Sequence, residues 1–419
     1  MSITVTKEMS LDYHQFPSAG KLGIETAVPF TSQKDLALAY TPGVAFPCIA
    51  IEENPQNAFK YTAKRNLVAV ISNGTAVLGL GDIGALASKP VMEGKAILFK
   101  KFSAIDSFDI EVDEKDPTKF CEIVEAISPT FGGINLEDIS SPTCFEIEKR
   151  LVKSLDIPVM HDDQHGTAII SSSGLINAAQ LIGKELKDMK IVVVGAGAAA
   201  ISCARMYRTL GVKNIIMLDS KGVIHNGRNN LNEFKKEFSI DKNLTQAQAF
   251  TGADMVLGLS SPGSFTKEDV ALMTDKPIVF ALSNPTPELF PEEVKAVKPN
   301  AIVGTGRSDF PNQVNNVLGF PFIFRGAMDV QATAINMEMK KAAAYAIADL
   351  AKKEVVEHVK DIFGELSYGQ EYVIPKPFDK RLMTDVSSAV ARAAVESGVA
   401  RIDKFDYEKY REELSNMIK

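Results

Sequence analysis

The 419-residue chain has only four cysteines, Cys48, Cys121, Cys144 and Cys203, and no two of them stand in a C-x-x-C spacing. That scatter argues against a zinc site and a disulfide framework, and it fits a reducing compartment. A long hydrophobic run is missing as well. The most apolar stretch, IVVVGAGAAAI from Ile191 to Ile201, falls short of the roughly 18 residues that suggest a membrane span, and glycines interrupt it. The opening MSITVTKEMS carries charge within its first ten residues and lacks the apolar centre of a secretory signal. Nor is there a surplus of positive charge. With 46 basic against 53 acidic residues the net charge is -7, which recommends neither nucleic acid nor a membrane surface as partner. No internal repeat or low-complexity tract is visible. The expectation is a soluble, cytoplasmic protein whose length favours two domains.

What is present is α/β in texture. Turn signals at Pro17, Gly20, Gly23 and Pro29 mark the first 30 residues as an irregular arm. From Leu67 the apolar runs LVAVI, AVLGL and AILFKKF read as strand-rich. A clearer alternation begins at Lys190. KIVVVG reads as a buried parallel strand, GAGAAAISCARMYRTLG as a helix and NIIMLD as a second strand, with ADMVLGLS, KPIVFALS and NAIVGTG as further strands. INMEMKKAAAYAIADLAKKEVVEHV reads as one long amphipathic helix, with two more helices after Pro377. The fold class is therefore α/β: an N-terminal α/β substrate domain over residues 1–160, a Rossmann-type doubly wound parallel sheet over 161–395, and a C-terminal helical tail over 396–419. The helical C-terminal part is expected to pack back on the first domain, with the active site in the cleft between the two.

Two glycine patterns compete for a nucleotide. Gly79-Leu-Gly81-Asp-Ile-Gly84 is the first, and Gly195-Ala-Gly197-Ala198-Ala-Ala200 is the second. A dinucleotide site needs a strand, a tight turn and an unbroken helix whose amides hold the pyrophosphate. Pro90 and Gly94 are expected to break the helix after the first pattern, which leaves the second. Glycines that merely let a helix approach a sheet are the plainer reading, but Asp219, 19 residues after Ala200, stands where an acid would bind ribose hydroxyls. Asp219 favours NAD over NADP, because a carboxylate repels a 2′-phosphate, although Lys221, Arg228, Lys235 and Lys236 follow close behind.

Two acidic pairs, Glu137-Asp138 and Asp162-Asp163, supply four carboxylates with no adjacent cysteine, the donor set of a hard cation such as Mg²⁺ or Mn²⁺. Each pair alone is more often a solvated turn, and Asp162 and Asp163 could equally cap a helix starting near Thr167. His161 and His165 are four apart, but the intervening DDQ and Gly166 suggest a turn, so they are read as structural rather than as ligands.

YTPGVA at 40–45, LGLGDIG at 78–84, PVMEGKAILFK at 90–100, INLEDI at 134–139, HDDQHGTA at 161–168, VVVGAGAAA and FALSNPT at 280–286 together resemble the malic enzymes, in particular the short bacterial type, from about residue 10 to 395. The resemblance implies oxidative decarboxylation of (S)-malate to pyruvate and CO₂, with reduction of NAD or NADP, bound Mg²⁺ or Mn²⁺, and a homodimer. It implies Glu137, Asp138 and Asp163 as metal ligands, Lys95 as general base, Tyr40 as general acid and Asp162 as the carboxylate supporting the lysine. Asn284 and Asn316 match amides that contact substrate or nicotinamide. The chemistry agrees: a base takes the hydroxyl proton as hydride leaves C2, the β-keto acid loses CO₂, and an acid protonates C3. Without the resemblance, Lys95 would pass for a surface lysine and Tyr40 for a packing tyrosine. The larger members carry an arginine shortly before the LGLGD run that grips a malate carboxylate, where this chain has Thr75-Ala76-Val77. Lys64 or Arg65 is therefore the expected substitute, reaching in from a neighbouring subunit if need be. A metal-independent amino-acid dehydrogenase and a nucleotide-sensing protein are the rivals. The clustered carboxylates oppose the first, and the presence of Tyr40, Lys95, Glu137, Asp138 and Asp163 together opposes the second.

Overall fold

Strand β1 (Leu67–Ser72) is buried at all six positions, and its run of branched residues makes it the centre of a sheet rather than an edge. The computed structural model describes residues 5–77, 79–402 and 404–417, so Leu78 of the AVLGL and LGLGDIG stretches, residues 1–4 of the opening stretch, and Asp403 and the last two residues of the tail lie outside it. With β2 (Asp106–Glu111), β3 (Gly133–Leu136) and β4 (Val159–His161), β1 forms a parallel four-stranded sheet in the order β2-β1-β3-β4.

The second sheet holds β5 (Lys190–Val194), β6 (Asn214–Asp219), β7 (Gly222–Val223), β8 (Met255–Gly258), β9 (Ile278–Ala281), β10 (Ile302–Thr305) and β11 (Asn312–Gln313). Their order is β11-β10-β9-β8-β5-β6-β7, and only the β6–β7 pairing is antiparallel. From β5 the chain moves outward to β6 and later returns to β8 on the other side, which makes the carboxyl end of β5 the switch point where such sheets bind ligands. Every strand expected after Lys190 is present. Among the described residues, no helix is long and apolar enough to cross a membrane.

The Asp162–Ile182 helix joins the sheets and is buried along most of its length, packed on the Ala198–Thr209 and Met337–Lys352 helices. The C-terminal helices do return to the first sheet. Phe99 meets Phe320 and Phe324 edge-on at 4.8 and 5.3 Å between ring centres, and Arg325 donates to Asn66.

Three readings are corrected. AILFKKF belongs to the Ala85–Ser103 helix, because Met92, Ala96, Phe99 and Ser103 are buried at helical spacing. The described residues of AVLGL form no strand, only an isolated bridge from Val77 to Gly81. The long amphipathic segment divides into Met337–Lys352 and Glu357–Phe363, separated by the β-branched, extended KEVV. The amino-terminal arm carries more regular structure than its turn signals suggest, in helices Lys7–Gln15, Gln33–Ala39 and Ala45–Glu53. None of the three buries a single residue.

Candidate active site

Leu136, the last residue of β3, lies in register with His161, the last of β4. The residues that follow each strand therefore emerge side by side, and two acidic pairs 25 residues apart in sequence become neighbours. One carboxylate oxygen from each of Glu137, Asp138 and Asp163 falls within 4.8 Å of the others. Asp138 adopts φ +52°, the left-handed region that short polar side chains tolerate. In this conformation its backbone N–H donates to Asp163 Oδ2 at 2.8 Å. That bond ties the two strand ends together, while Asn135 donates to Glu137 Oε2 at 2.8 Å within the β3 end.

Lys95 enters from the Ala85–Ser103 helix, its side chain only 11% exposed. Its Nζ lies 2.6 Å from Asp162 Oδ2 and 2.9 Å from Glu137 Oε1, and 4.3 Å from the centre of the Phe320 ring. Burial draws the ammonium pKa down, but Asp162, Glu137 and Asp163 outweigh it and leave it raised. Burial drives Glu137 well above the ordinary carboxylate range, against the pull of Lys95. Asn316 donates to the same Asp162 Oδ2 at 3.1 Å and accepts from Thr167 at 3.2 Å, so the amide expected to contact substrate is bonded to the partner of the lysine.

Glu137 and Asp162 pair with the Lys95 ammonium, and the Asp163 charge acts on it from nearby, so acids outnumber the one cation they face. Because every donor is an oxygen, the set fits a hard divalent cation on Glu137, Asp138 and Asp163.

The DDQH stretch after His161 is helix and not turn. The helix begins at Asp162, and Gly166 lies inside it because a Cβ there would meet Asp162 Oδ1 at 2.1 Å and Asn316 Cγ at 2.9 Å. His165 Nε2 is 3.0 Å from Glu148 Oε2, and the His161 backbone N–H donates to Glu148 Oε1 at 2.9 Å. His165, Lys340 and His161 hold the Glu148 carboxyl at about 2 although burial opposes them. The His161 ring is 3.6 Å from Asp163 Oδ2. Sequence reasoning missed Glu148, Asn135 and Phe320. Glu148 stands 13 residues before His161 in chain order, and no spacing rule connects them.

On the second sheet, only three residues separate the end of β5 from the Ala198–Thr209 helix. Gly195 takes φ +119° and lies so close to the chain after β8 that a Cβ would sit 2.3 Å from the Leu259 carbonyl. Gly197 caps the helix, and Ala198 and Ala200 lie in its first turn. The first glycine pattern fails for a different reason from the one expected. Its helix runs unbroken through Pro90, which stands in the second turn beside exposed Leu86, where water can take the carbonyl left without a donor. What it lacks is the tight turn, since residues 73–84 separate β1 from the helix.

Asp219 ends β6 as expected, but its carboxylate is already occupied. Lys221 N and Arg228 Nη1 donate to Oδ1, both at 2.9 Å, while Arg228 Nη2 and Lys235 Nζ donate to Oδ2 at 2.9 and 2.8 Å. Burial favours the neutral acid, and these bonds reverse it, leaving the pKa below its ordinary value. Asn284 follows β9 and is exposed, with its side chain against Gly306 and its carbonyl against Gly79.

Two candidates do not join the cluster. Tyr40 is 69% exposed at the end of the Gln33–Ala39 helix. Lys64 precedes β1, whereas the acids follow the carboxyl ends of β3 and β4, so parallel strands hold them at opposite ends of the sheet. Its Nζ donates to the carbonyls of Pro129 and Phe131 at 3.1 and 2.5 Å, and burial lowers its pKa to about 8. Arg65 is exposed at that same end. Neither is the substrate cation of its own chain's site.

Residues 20–152 match the family model "Malic enzyme, N-terminal domain", and residues 164–373 match "Malic enzyme, NAD binding domain". The chain is 54% identical to the NADP-dependent malic enzyme of Halomonas elongata over 94% of this chain and 95% of that one. It is 55% identical to the NADP-dependent malic enzyme of Escherichia coli over 98% of this chain, and it spans only 55% of that relative's length. Relatives above 50% identity carry both NADP- and NAD-dependent names. The crystal structure of malic enzyme from Pyrococcus horikoshii superposes with a TM-score of 0.90 at 41% identity, covering 98% of this chain and 95% of that one.

Proposed function

Since this chain belongs to the malic enzyme family, we propose that it converts (S)-malate to pyruvate and CO₂ while reducing a nicotinamide nucleotide. The observation that carries the reading is the meeting of Lys95 with Asp162 and the Glu137, Asp138 and Asp163 carboxylates in a chain that also carries the β5 nucleotide turn. Glu137, Asp138 and Asp163 would hold a divalent cation, which supplies Lewis-acid polarisation of the substrate oxygen.

With a dication offsetting the acids that hold the proton on it, Lys95 would be a free amine able to accept the C2 hydroxyl proton as the hydride leaves C2 for the nicotinamide, which would give the β-keto acid. Asp162 and Asn316 keep that nitrogen at a fixed point. The C3–C4 bond then breaks, CO₂ leaves, and its electron pair forms the enolate of pyruvate. Tyr40 gives C3 its proton. Because Tyr40 lies on an arm that buries nothing of its own, we assign its delivery to a second copy of the chain. The exposed apolar side chains of Phe16, Leu36, Leu38, Phe46 and Ile49 on that arm support a homodimer in which each arm covers the other protomer.

For the nucleotide, four donors on Asp219 use all the acceptor positions of a carboxylate, so it has none left for ribose hydroxyls. This removes the ground for preferring NAD. With Lys221, Lys235 and Lys236 around it, the site favours the 2′-phosphate of NADP.

Nucleotide reduction at 340 nm with malate and Mn²⁺, run with NADP⁺ and NAD⁺ in parallel, with EDTA, and with glutamate in place of malate, tests the reading. Malate- and metal-dependent turnover is expected; turnover with glutamate, or turnover that survives EDTA, would overturn it.

A further inference from the structure

Glu288 is a buried acid, 3% exposed, in a stretch that the proposed reaction does not use. The groups acting on it are backbone N–H donors, not cations, and burial lifts its pKa above the ordinary value against their pull. Its two oxygens go to two different loops. Oε1 accepts from the Ser260 N–H at 2.9 Å, and Oε2 accepts from the Ser283 N–H at 3.1 Å. Gly258 and Ala281 are register partners at the ends of β8 and β9, so Ser260 and Ser283 each stand two residues beyond a paired end. One carboxylate thus bridges the exits of two adjacent strands. Gly258 lies against it so closely that a Cβ would sit 2.6 Å from the carboxyl carbon.

Both loops touch the nucleotide side of the molecule. Leu259, just before Ser260, presents the carbonyl on which Gly195 of the β5 turn is packed. Asn284, just after Ser283, has its carbonyl 3.1 Å from where a Cβ on Gly79 would lie and its side chain against Gly306. A continuous path of backbone contacts therefore runs from the nucleotide turn through Ser260, Glu288 and Ser283 to the long loop of the first sheet.

We infer that Glu288 is a positioning residue of the nucleotide cleft, setting with one carboxylate both the wall beside Gly195 and the Asn284 amide. The inference rests on the reading that this cleft binds a nicotinamide nucleotide. A carboxylate suits the task because both loops offer donors. In Glu288→Gln one amide oxygen still accepts, but the NH₂ confronts a second N–H, so the isosteric change should fail almost as badly as Glu288→Ala.

The test uses the purified full chain with Mn²⁺. NADPH binding is followed by nicotinamide fluorescence and Mn²⁺ binding by the paramagnetic resonance of the free ion. In both Glu288 variants the dissociation constant for NADPH should rise about tenfold or more, a loss of one to two hydrogen bonds' worth of positioning. Mn²⁺ affinity should stay within about twofold, because the ligand set lies on the other sheet. Gly258→Ala, which leaves the acid in place but pushes it aside, should repeat the pattern and decides the matter if the Glu288 variants do not fold. Unchanged NADPH affinity in folded variants would overturn the inference alone, as would a parallel fall in NADPH and Mn²⁺ affinity, the mark of general destabilisation. A wild-type protein that bound neither NADPH nor NADH would overturn the cofactor reading and this inference with it.

Discussion

Acids end parallel strands in both sheets, yet their surroundings are opposite. Beyond β3 and β4, Glu137, Asp138 and Asp163 gather their oxygens within 4.8 Å, and Lys95 pairs with Glu137 and Asp162. Beyond β6, the single Asp219 is held by Arg228 and Lys235 and borders on further lysines. The same residue type at the same topological position is thus clustered with its like at one site and saturated by cations at the other. Carboxylates clustered around one site call for a cation, and a carboxylate wholly engaged by cations turns the net field toward an anion. What binds at a strand end follows from the local balance of charge and not from the presence of an acid.

The largest effect should come from breaking the acid-rich site. Lys95→Ala should lower kcat about 10²- to 10⁴-fold, the usual weight of a general base, with nucleotide affinity kept. Tyr40→Phe should lower kcat on a similar scale. Because the two groups are assigned to different protomers, mixing and refolding the two inactive variants together should restore about a quarter of the wild-type sites, as half the dimers are mixed and each has one intact site. No recovery would place both groups in one chain.

Next in size is the metal. Asp163→Asn should weaken Mn²⁺ binding by at least about tenfold, seen directly by titration, and should leave NADPH binding near wild type. On the saturated side, Lys235→Ala should raise KM for NADP⁺ about tenfold with little change for NAD⁺, since the loss is of a charge-assisted bond to phosphate. Equal effects on both nucleotides would give Lys235 a role in holding Asp219 rather than the ligand.

The smallest expected effect lies between the two extremes, on edge strand β2, where Asp109 and Glu111 share Lys89 at 2.6 and 3.4 Å. Burial, with Asp109 beside it, raises Glu111 to about 7. A carboxyl raised on folding is stabilising while protonated. Its contribution is complete below the unfolded-state pKa near 4.5 and lost as pH rises through about 7. Replacing it by glutamine should flatten the fall in Tm between those values by a few degrees at most. An identical slope in the variant would remove Glu111 from the account.

The second sheet was almost wholly legible in sequence, because buried parallel strands write themselves as short branched runs between glycines and helix formers. The first sheet was less so. AILFKKF has the composition of a strand and the spacing of a helix, and only the face turned toward Phe320 and Phe324 decides between them. The acids of the candidate site were readable as residue types, with the resemblance supplying their roles. Their convergence was not readable, because it rests on the register of Leu136 with His161. That Lys64 stands at the far end of the sheet from its own chain's acids was equally unreadable, because sequence does not say which end of a sheet a side chain serves.

By itself, then, the sequence determined the strand and helix alternation after Lys190, the tight glycine turn at Gly195 and a stock of hard oxygen donors, since these depend on local periodicity and side-chain chemistry. The tertiary structure alone decided that Lys95 meets Asp162, that Asp219 is already bonded, that Gly166 sits inside a helix, and that Tyr40 stands exposed on an arm. Each of these is a distance between groups far apart along the chain, set by strand register and packing, and no local pattern encodes such a distance.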